Sequence, residues 1–285
     1  MQKTVADLYM HYKAVLNSEI EARELIAHSL NLDRKQIFNW SKTFVTQDDE
    51  KKVLENINKR QKGMPLAYIL GEWEFYSLPF KVDENVLIPR SDTETLVDSA
   101  LEYLREQSHR HMDKMKILDL CAGSGCIGIA IGKNYQNSTI FACDISKKAI
   151  DIAKENAKIN NIVNYTIYED NVLDPKIKYP IVDLIVSNPP YIETKTIDTL
   201  DCDVRDFEPR IALDGGEDGL IFYEKICEKY LGFLKYGGKI IFEYGIHQED
   251  DIKQILEKYK FENIKITKDL CGINRIIEAT KYNID

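Results

Sequence analysis

Apolar residues in the N-terminal part of the chain recur at helical spacing. Val53, Leu54 and Ile57 would share one face of a helix that begins near Thr46, and Ser18–Glu21 is typical of a capping box before another helix. No alternating, strand-like pattern interrupts this part of the chain. We therefore predict a small helical domain over residues 1–70.

The next stretch changes to alternating aromatic and polar positions. Residues 74–82 alternate around a turn, as a short β-hairpin does, and Pro89 should end the extended segment that follows. The pattern predicts a β-hairpin linker over residues 71–90.

Short apolar runs then alternate with helical segments such as 147–160 and 219–234. The predicted strands are 116–121, 139–143, 164–168, 181–187, 239–243, 263–267 and 274–279. This alternation is typical of a mostly parallel, doubly wound sheet. We predict an α/β domain over residues 91–285 with a mostly parallel, seven-stranded, Rossmann-like sheet.

Composition indicates a soluble cytoplasmic protein. The 285 residues are 44% hydrophobic and 30% charged, and no run reaches the roughly 20 apolar residues that span a bilayer. The N-terminus lacks a signal-peptide pattern, and the six cysteines contain no CxxC pair. We expect reduced thiols, no metal site, no membrane binding and a monomer.

The net charge argues against a protein whose main function is to bind nucleic acid. The net charge is −9, and residues 1–83 carry 12 basic and 12 acidic side chains. Nucleic-acid binding draws much of its affinity from basic side chains that neutralise phosphates. We therefore expect no stable nucleic-acid binding.

A glycine turn follows the first strand of the predicted sheet, and Asp119 stands just before it. The turn residues are Cys121, Ala122, Gly123, Ser124 and Gly125. The segment formally fits the GxGxxG pattern of dinucleotide sites, but a pyrophosphate would lie close to the Asp119 carboxylate. The same carboxylate suits the ammonium group of S-adenosylmethionine, which we predict as the cofactor.

Two polar residues follow the next two strands. Asp144, 21 residues after Gly123, is placed to accept hydrogen bonds from ribose hydroxyls, and Asn171 is placed to meet adenine. Structural interpretations compete with this one. Asp144 could cap the helix that starts near Ser146, and Gly125 and Gly128 could simply allow tight helix–sheet packing.

The fourth predicted strand ends in Asn188-Pro189-Pro190-Tyr191. In a doubly wound sheet this strand neighbours the first, so Asn188 should face the glycine turn and also approach the cofactor. An amide nitrogen is a poor nucleophile because its lone pair is delocalised into the carbonyl. The Asn188 side-chain oxygen and the Pro189 carbonyl can each accept one N–H of a substrate NH₂, which favours a pyramidal nitrogen.

The rest of this motif supports the same chemistry. Two prolines stiffen the turn and donate no hydrogen bonds, and Tyr191 can lie against a flat amide. We therefore predict an N-methyltransferase in which Asn188, Pro189 and Tyr191 act in catalysis and all four motif residues bind the substrate.

Together these motifs resemble the release factor glutamine methyltransferases, and the resemblance extends over nearly the whole chain. The segments that carry it are Phe75–Phe80, Leu87–Arg90, Asp119–Gly125, Asn188–Tyr191, Glu208–Leu213, Gly216–Leu220 and Glu243–Gly245. The resemblance implies a class I methyltransferase fold with a helical domain that holds the release factor. It also implies methylation of the glutamine side-chain nitrogen (N5) in the GGQ motif of release factors.

The sequence departs from this family at two places. The family linker usually continues Pro-Glu-Thr-Glu where this chain has Ser91–Glu94, and an aromatic residue often stands at the position of Asn171. Residues 201–206 are predicted to form a loop, either over the acceptor site or on the plain surface.

Three other functions share some of these features. A DNA adenine N6-methyltransferase shares the Asn188–Tyr191 motif but would normally carry a basic recognition region. An NAD-binding oxidoreductase would use the glycine turn and leave that motif without a role. A non-catalytic binding module would keep only the cofactor site.

Overall fold

Two compact units make up the computed structural model, which describes residues 3–33, 39–108 and 113–282. The first unit comprises Met1–Glu72 and Asp201–Phe207, and the second comprises Trp73–Leu200 and Glu208–Asp285. The prediction of a loop over residues 201–206 is wrong, because Cys202–Phe207 forms a helix that belongs to the first unit.

The first unit is helical. Its helices are α1 (Val5–Leu16), α2 (Glu19–Ser29), α3 (Gln47–Gln61), α4 (Leu66–Leu70) and α8 (Cys202–Phe207). Ser18 caps α2 by accepting the Glu21 N–H at 3.2 Å, and Thr46 and Asp49 form a reciprocal capping box at the start of α3. Leu25 and Ile26 of α2 are fully buried, so packing between helices stabilises this unit.

A two-stranded hairpin follows, with β1 at Glu72–Phe75 and β2 at Leu78–Lys81, which confirms the predicted hairpin. Phe75 and Phe80 are each 1% exposed, and their ring centroids lie 6.0 Å apart in an edge-to-face arrangement. Both rings join the apolar core of the second unit, so the hairpin is anchored by aromatic burial.

The second unit is built around a seven-stranded sheet with the order β5-β4-β3-β6-β7-β9-β8. Its strands are β3 (Met115–Leu120), β4 (Ser138–Asp144), β5 (Tyr165–Glu169), β6 (Val182–Ser187), β7 (Leu234–Glu243), β8 (Phe261–Lys268) and β9 (Asn274–Lys281). Neighbouring strands pair in parallel except for β9, which is antiparallel to both β7 and β8. Each predicted apolar run is a strand, and the mostly parallel sheet is confirmed.

Helices cover both faces of this sheet, which is why its central strand β6 is buried along its whole length. They are α5 (Glu94–Ser108), α6 (Cys126–Asn134), α7 (Lys147–Ile159), α9 (Ile221–Tyr230) and α10 (Glu249–Lys258). Short 3₁₀ turns lie at Ser91–Thr93, Thr194–Thr199, Arg210–Ala212 and Leu231–Phe233. Within the described ranges, no helix is both long and apolar enough to cross a membrane.

The buried side chain of Asn156 ties the hairpin to the glycine turn. Its Oδ1 accepts the Lys81 N–H at 2.7 Å, and its Nδ2 donates to the Lys81 carbonyl at 3.0 Å and to the Ser124 carbonyl at 2.9 Å. The side chain therefore replaces missing strand partners on β2 and supports the turn from behind.

Replacement of Asn156 by Ala should destabilise the second unit by about 2–4 kcal/mol, because it leaves buried backbone groups unpaired. The matched change Asn134→Ala removes one local bond, to the Ala130 carbonyl, on an exposed helix end, and should cost less than about 0.5 kcal/mol. Urea unfolding of both variants measures the difference. Equal stabilities would show that the Asn156 bonds do not hold the hairpin.

Candidate active site

The carboxyl ends of β3 and β6 lie side by side. Leu120 pairs with Ser187 at the last register position, and the Ser187 hydroxyl donates to the Leu120 carbonyl at 2.7 Å. The glycine turn and Asn188 therefore leave the sheet at neighbouring points. This confirms that the first and fourth strands of the sheet are neighbours, as ligand binding at the switch point of such sheets requires.

Hydrogen bonds from β4 fix the shape of the glycine turn. The Asp144 carboxylate accepts the N–H of Gly123 and the N–H of Ser146, each at 2.8 Å, and the Cys143 carbonyl accepts the N–H of Ala122 at 3.0 Å. Burial raises the pKa of Asp144, and the N–H groups of Ser146 and Gly123 oppose that rise. Asp144 thus supports both the turn and Ser146, the N-cap of α7, and a contact between Asp144 and ribose stays a prediction.

Two glycines are required by close packing behind the turn. Gly125 has a φ of +78°, and a Cβ there would lie 2.8 Å from the Tyr165 hydroxyl. A Cβ on Gly128 would lie 2.9 Å from the Asp119 carboxylate. Both positions exclude a side chain because of close packing, and a role of Gly125 in cofactor binding stays a prediction.

Asp119 lies behind the turn rather than in the wall of a cavity. Its side chain is fully buried, and Oδ2 accepts the Gly128 N–H at 2.9 Å. In the described part of the chain, Oδ1 has no hydrogen-bond partner. Burial raises the Asp119 pKa to about 7, and the Gly128 N–H partly opposes this. A direct contact with the ammonium of the cofactor stays a prediction.

A cavity opens at this edge of the sheet, within the second unit. The linker side contributes Asn85, Val86, Leu87, Pro89, Arg90 and Thr93. The strand ends contribute Cys121, Ala122, Gly123, Ser124, Asp144, Ile145, Asn171, Leu173, Asn188 and Pro190, and helices and later loops add Cys126, Ile127, Ser146, Ala149, Val172, Pro209, Ile211, Ala212 and Phe222. Polar side chains therefore line the cavity from both the linker side and the strand ends, among apolar residues of both sets.

Most of the predicted site residues meet in this cavity. Those in its lining are Cys121, Ala122, Gly123, Ser124, Asp144, Asn171, Asn188 and Pro190. Those outside the lining are Asp119, Gly125, Pro189 and Tyr191. The first set can contact a ligand inside the cavity, whereas the second set lies outside the cavity lining.

Asn171 uses its side-chain oxygen within its own loop. Oδ1 accepts the Leu173 N–H at 2.9 Å, which forms a local turn. Its Nδ2 makes no hydrogen bond among the described residues and remains a donor toward the cavity. A contact between Asn171 and adenine stays a prediction.

The Asn188–Tyr191 motif presents hydrogen-bond acceptors. Asn188 donates its Nδ2 to the Thr93 hydroxyl at 3.3 Å. Within residues that the structure describes, neither Asn188 Oδ1 nor the Pro189 carbonyl accepts a hydrogen bond. Tyr191 donates its hydroxyl to Glu243 at 3.5 Å, and its backbone carbonyl accepts from Gln248 at 3.1 Å. Burial raises the Tyr191 pKa, so its hydroxyl stays protonated.

Three participants escaped the sequence prediction of site residues. Arg90 lines the cavity and pairs with Glu208 at 2.6 Å, and the Glu208 side chain is only 1% exposed. Thr93 holds Asn188 from the start of α5. Arg90 and Glu208 stand in the family-like segments Leu87–Arg90 and Glu208–Leu213, whereas Thr93 lies outside them, and none of these contacts can be read from sequence.

The sheet order, the antiparallel β9 and the two motifs at one edge define a class I methyltransferase. The human methyltransferase 10 domain containing protein shares this fold with a TM-score of 0.54 at 16% identity, over 73% of this chain and 91% of that one. Family models match at residues 93–202, the methyltransferase small domain, and at residues 2–71, the PrmC N-terminal domain.

Curated relatives narrow the class. The chain is 40% identical to the release factor glutamine methyltransferase of Thermodesulfovibrio yellowstonii over 261 residues, 92% of each chain. It is 39% identical to that of Clostridium botulinum over 273 residues, 95% of each chain. The chain belongs to the release factor glutamine methyltransferase family.

The raised pKa of Asp119 gives a testable pH dependence of stability. The unfolded carboxyl titrates near 3.8 and the folded one near 7, so the folded state binds more protons between these values. The wild-type free energy of unfolding should therefore fall as pH rises through this window, by a few kcal/mol at most.

Asp119→Asn removes this contribution while it keeps an oxygen for the Gly128 N–H. The stability of the variant relative to wild type should rise between pH 5 and about pH 7, measured by denaturant unfolding without ligand. A difference that does not change with pH would contradict a buried, neutral Asp119.

Proposed function

We propose that this protein transfers a methyl group from S-adenosylmethionine to the side-chain amide nitrogen of the glutamine in the GGQ motif of peptide chain release factors. The observation that carries the proposal is the pair of unoccupied acceptors on Asn188 and Pro189 beside the glycine turn, in a chain about 40% identical to curated enzymes of this family. Its partners would be release factors in the cytoplasm.

The residues of the cavity fit the methyl donor. Asp144 lines the cavity with a carboxylate that retains lone pairs for ribose hydroxyls beyond its two backbone bonds. Asn171 offers a free Nδ2 donor, and Ile145 and Leu173 offer apolar contact for a flat base. When bound, S-adenosylmethionine supplies a methyl group on a positively charged sulfonium.

The acceptor motif orients an amide. Each N–H of a glutamine NH₂ can donate to one oxygen, Asn188 Oδ1 or the Pro189 carbonyl, so the nitrogen is held at a fixed position at the mouth of the cavity. Both oxygens draw on the N–H bonds, which weakens delocalisation of the lone pair into the carbonyl. The rigid Pro189–Pro190 turn keeps these acceptors in place without reorganisation.

The protonation state of the site suits this chemistry. Tyr191 remains a neutral phenol, because burial raises its pKa. No strong base lies on the motif itself, and none is required, because an alkylated amide loses its extra proton readily. Asn188–Tyr191 therefore contributes positioning and electrostatics rather than proton abstraction.

The helical first unit would hold the release factor. This assignment rests on the match of residues 2–71 to the PrmC N-terminal domain and on the resemblance of the whole chain. A DNA adenine N6-methyltransferase is the main alternative because it also presents an NH₂ to such a motif. The net charge of −9 favours a protein substrate over a nucleic acid.

Labelled methyl groups from S-adenosylmethionine should appear on the GGQ glutamine of an intact release factor and not on DNA. Asn188→Ala should lower this turnover roughly 100-fold or more, because one acceptor of the amide is lost. Affinity for S-adenosylhomocysteine should stay within about threefold of wild type, since the bulk of the cofactor contacts remain.

Mass spectrometry of the GGQ peptide measures the transfer, and calorimetry measures the affinity. The control variant Asn134→Ala, on an exposed helix end, should leave both unchanged. Methylated DNA with an unmodified release factor would overturn the proposed function. Full activity of Asn188→Ala would overturn the role of this side chain.

A further inference from the structure

The two ends of an asparagine side chain differ chemically, and only one of them serves the proposed acceptor site. An oxygen that faces the substrate accepts an N–H, whereas an NH₂ group there would repel it. The orientation of the Asn188 amide therefore decides whether the motif works. The two orientations differ by a half-turn of the side-chain amide, so a neighbouring group must favour one of them over the other.

Thr93 is one of the residues that contact the Asn188 amide. Its hydroxyl accepts the Asn188 Nδ2 at 3.3 Å, and Thr93 itself is 2% exposed. A hydroxyl can both donate and accept, so alone it would tolerate either orientation of the amide. The direction must therefore come from another group beside the Asn188 amide.

Glu243, the last residue of β7, is that group. It is 2% exposed, and in its ionised form it can only accept hydrogen bonds. Thr93 and Asn188 lie close enough to lower its pKa against the effect of burial, which raises it to about 7. These contacts are looser than standard hydrogen bonds, because Glu243 Oε2 has no partner at standard geometry among the described residues.

The same carboxylate reaches the other side chain of the motif. Its Oε1 accepts the Tyr191 hydroxyl at 3.5 Å. Arg275, which lies 3.6 Å from Asp92, adds a positive charge that favours the ionised form of Glu243. Glu243 therefore faces a tyrosine, a threonine and an asparagine that can each donate a hydrogen to it.

We propose that Glu243 and Thr93 are positioning residues that orient the Asn188 amide. In its ionised form Glu243 accepts hydrogens from the Thr93 hydroxyl and from the Asn188 NH₂, and the Thr93 oxygen accepts the other N–H of that NH₂. Asn188 Oδ1 is thereby turned to the substrate. This inference rests on the proposed function, and it names the residues that make the site select an NH₂.

The first test uses paired variants at Thr93. Thr93→Val keeps the shape and removes the hydroxyl, so kcat for release-factor methylation should fall about tenfold, with the KM for S-adenosylmethionine within about twofold. Thr93→Ser restores the hydroxyl and should return kcat to within about threefold of wild type. If Thr93→Ser loses as much as Thr93→Val, packing of the methyl group and not orientation explains the loss.

Thr267→Val is the matched control. Its hydroxyl is buried on β8 and bonds to nothing in the described residues, so this change should leave kcat unaltered. A fall in kcat similar to that of Thr93→Val would show a general effect of losing a buried hydroxyl and would overturn the proposal.

A double-mutant cycle tests whether Glu243 and Thr93 act together on the Asn188 amide. Glu243→Gln keeps the shape but can donate as well as accept, so it should lower kcat about threefold to tenfold. Because Glu243 and Thr93 are proposed to hold the same Asn188 amide, Thr93→Val with Glu243→Gln should lose less kcat than the product of the two single losses. Losses that multiply would show that Glu243 acts by another route.

Asn188 can also be observed without any substrate. The hydrogens on its Nδ2, assigned by NMR from the signal lost in Asn188→Asp, should exchange with water about tenfold faster in Thr93→Val than in wild type or Thr93→Ser. Unchanged exchange would overturn the positioning role even if kcat falls. A wild type that methylates no release factor, but shows this exchange pattern, would instead overturn the proposed function alone.

Discussion

The hydroxyl of Ser187 donates to the carbonyl of Leu120 at the last paired residues of two neighbouring parallel strands. This bond lies at the edge of the sheet where β3 and β6 both end. The chain therefore leaves the sheet at two adjacent points. One exit becomes the glycine turn and the other becomes Asn188. Every further element of the site is positioned relative to these exits: β4 through Asp144 and β7 through Glu243.

Two buried acids lie beside the points where the chain leaves β3 and β6, and the burial of each one destabilises the folded state. Burial raises the pKa values of Asp119 and Glu243 to about 7, so both ionise only against a desolvation penalty. Asp119 offsets part of it with the N–H of Gly128 and thereby joins β3 to α6. Glu243 offsets part of it with side chains of the acceptor motif. The two acids therefore destabilise the folded state, while their contacts maintain the geometry of the cavity edge.

The fold was largely predictable because its signal is local. Runs such as 116–121 and 181–187 are continuous and apolar, as strands buried on both faces must be, and their alternation with helices determines a parallel sheet. The helix at Cys202–Phe207 was missed because its six residues include Asp203, Arg205 and Asp206, and none of the six is buried. Without an apolar face, such a segment resembles a loop.

The site was predictable where residues adjoin strand ends and unpredictable where distant segments meet. Asp144 ends β4 and Asn188 directly follows β6, so topology places them at the cavity. Thr93 is 95 residues from Asn188, and Asn156 is 75 residues from Lys81, and no periodicity encodes those contacts. Asp119 shows a different limit: its position was foreseen, but its burial behind the turn depends on the close approach of Gly128.

Burial of the Glu243 acid beside the acceptor motif destabilises the folded state. The proposed effect of its carboxylate on the orientation of the Asn188 amide explains why an acid stands there. A serine or glutamine at the end of β7 would be easier to bury, because neither carries charge. Each, however, can donate as well as accept, so the Thr93 hydroxyl and the Asn188 amide could reverse together without losing a hydrogen bond. Only an acceptor without donors removes that second arrangement. Burial raises the pKa of Glu243 to about 7, so the proposed single orientation of Asn188 depends on the ionised form of this acid.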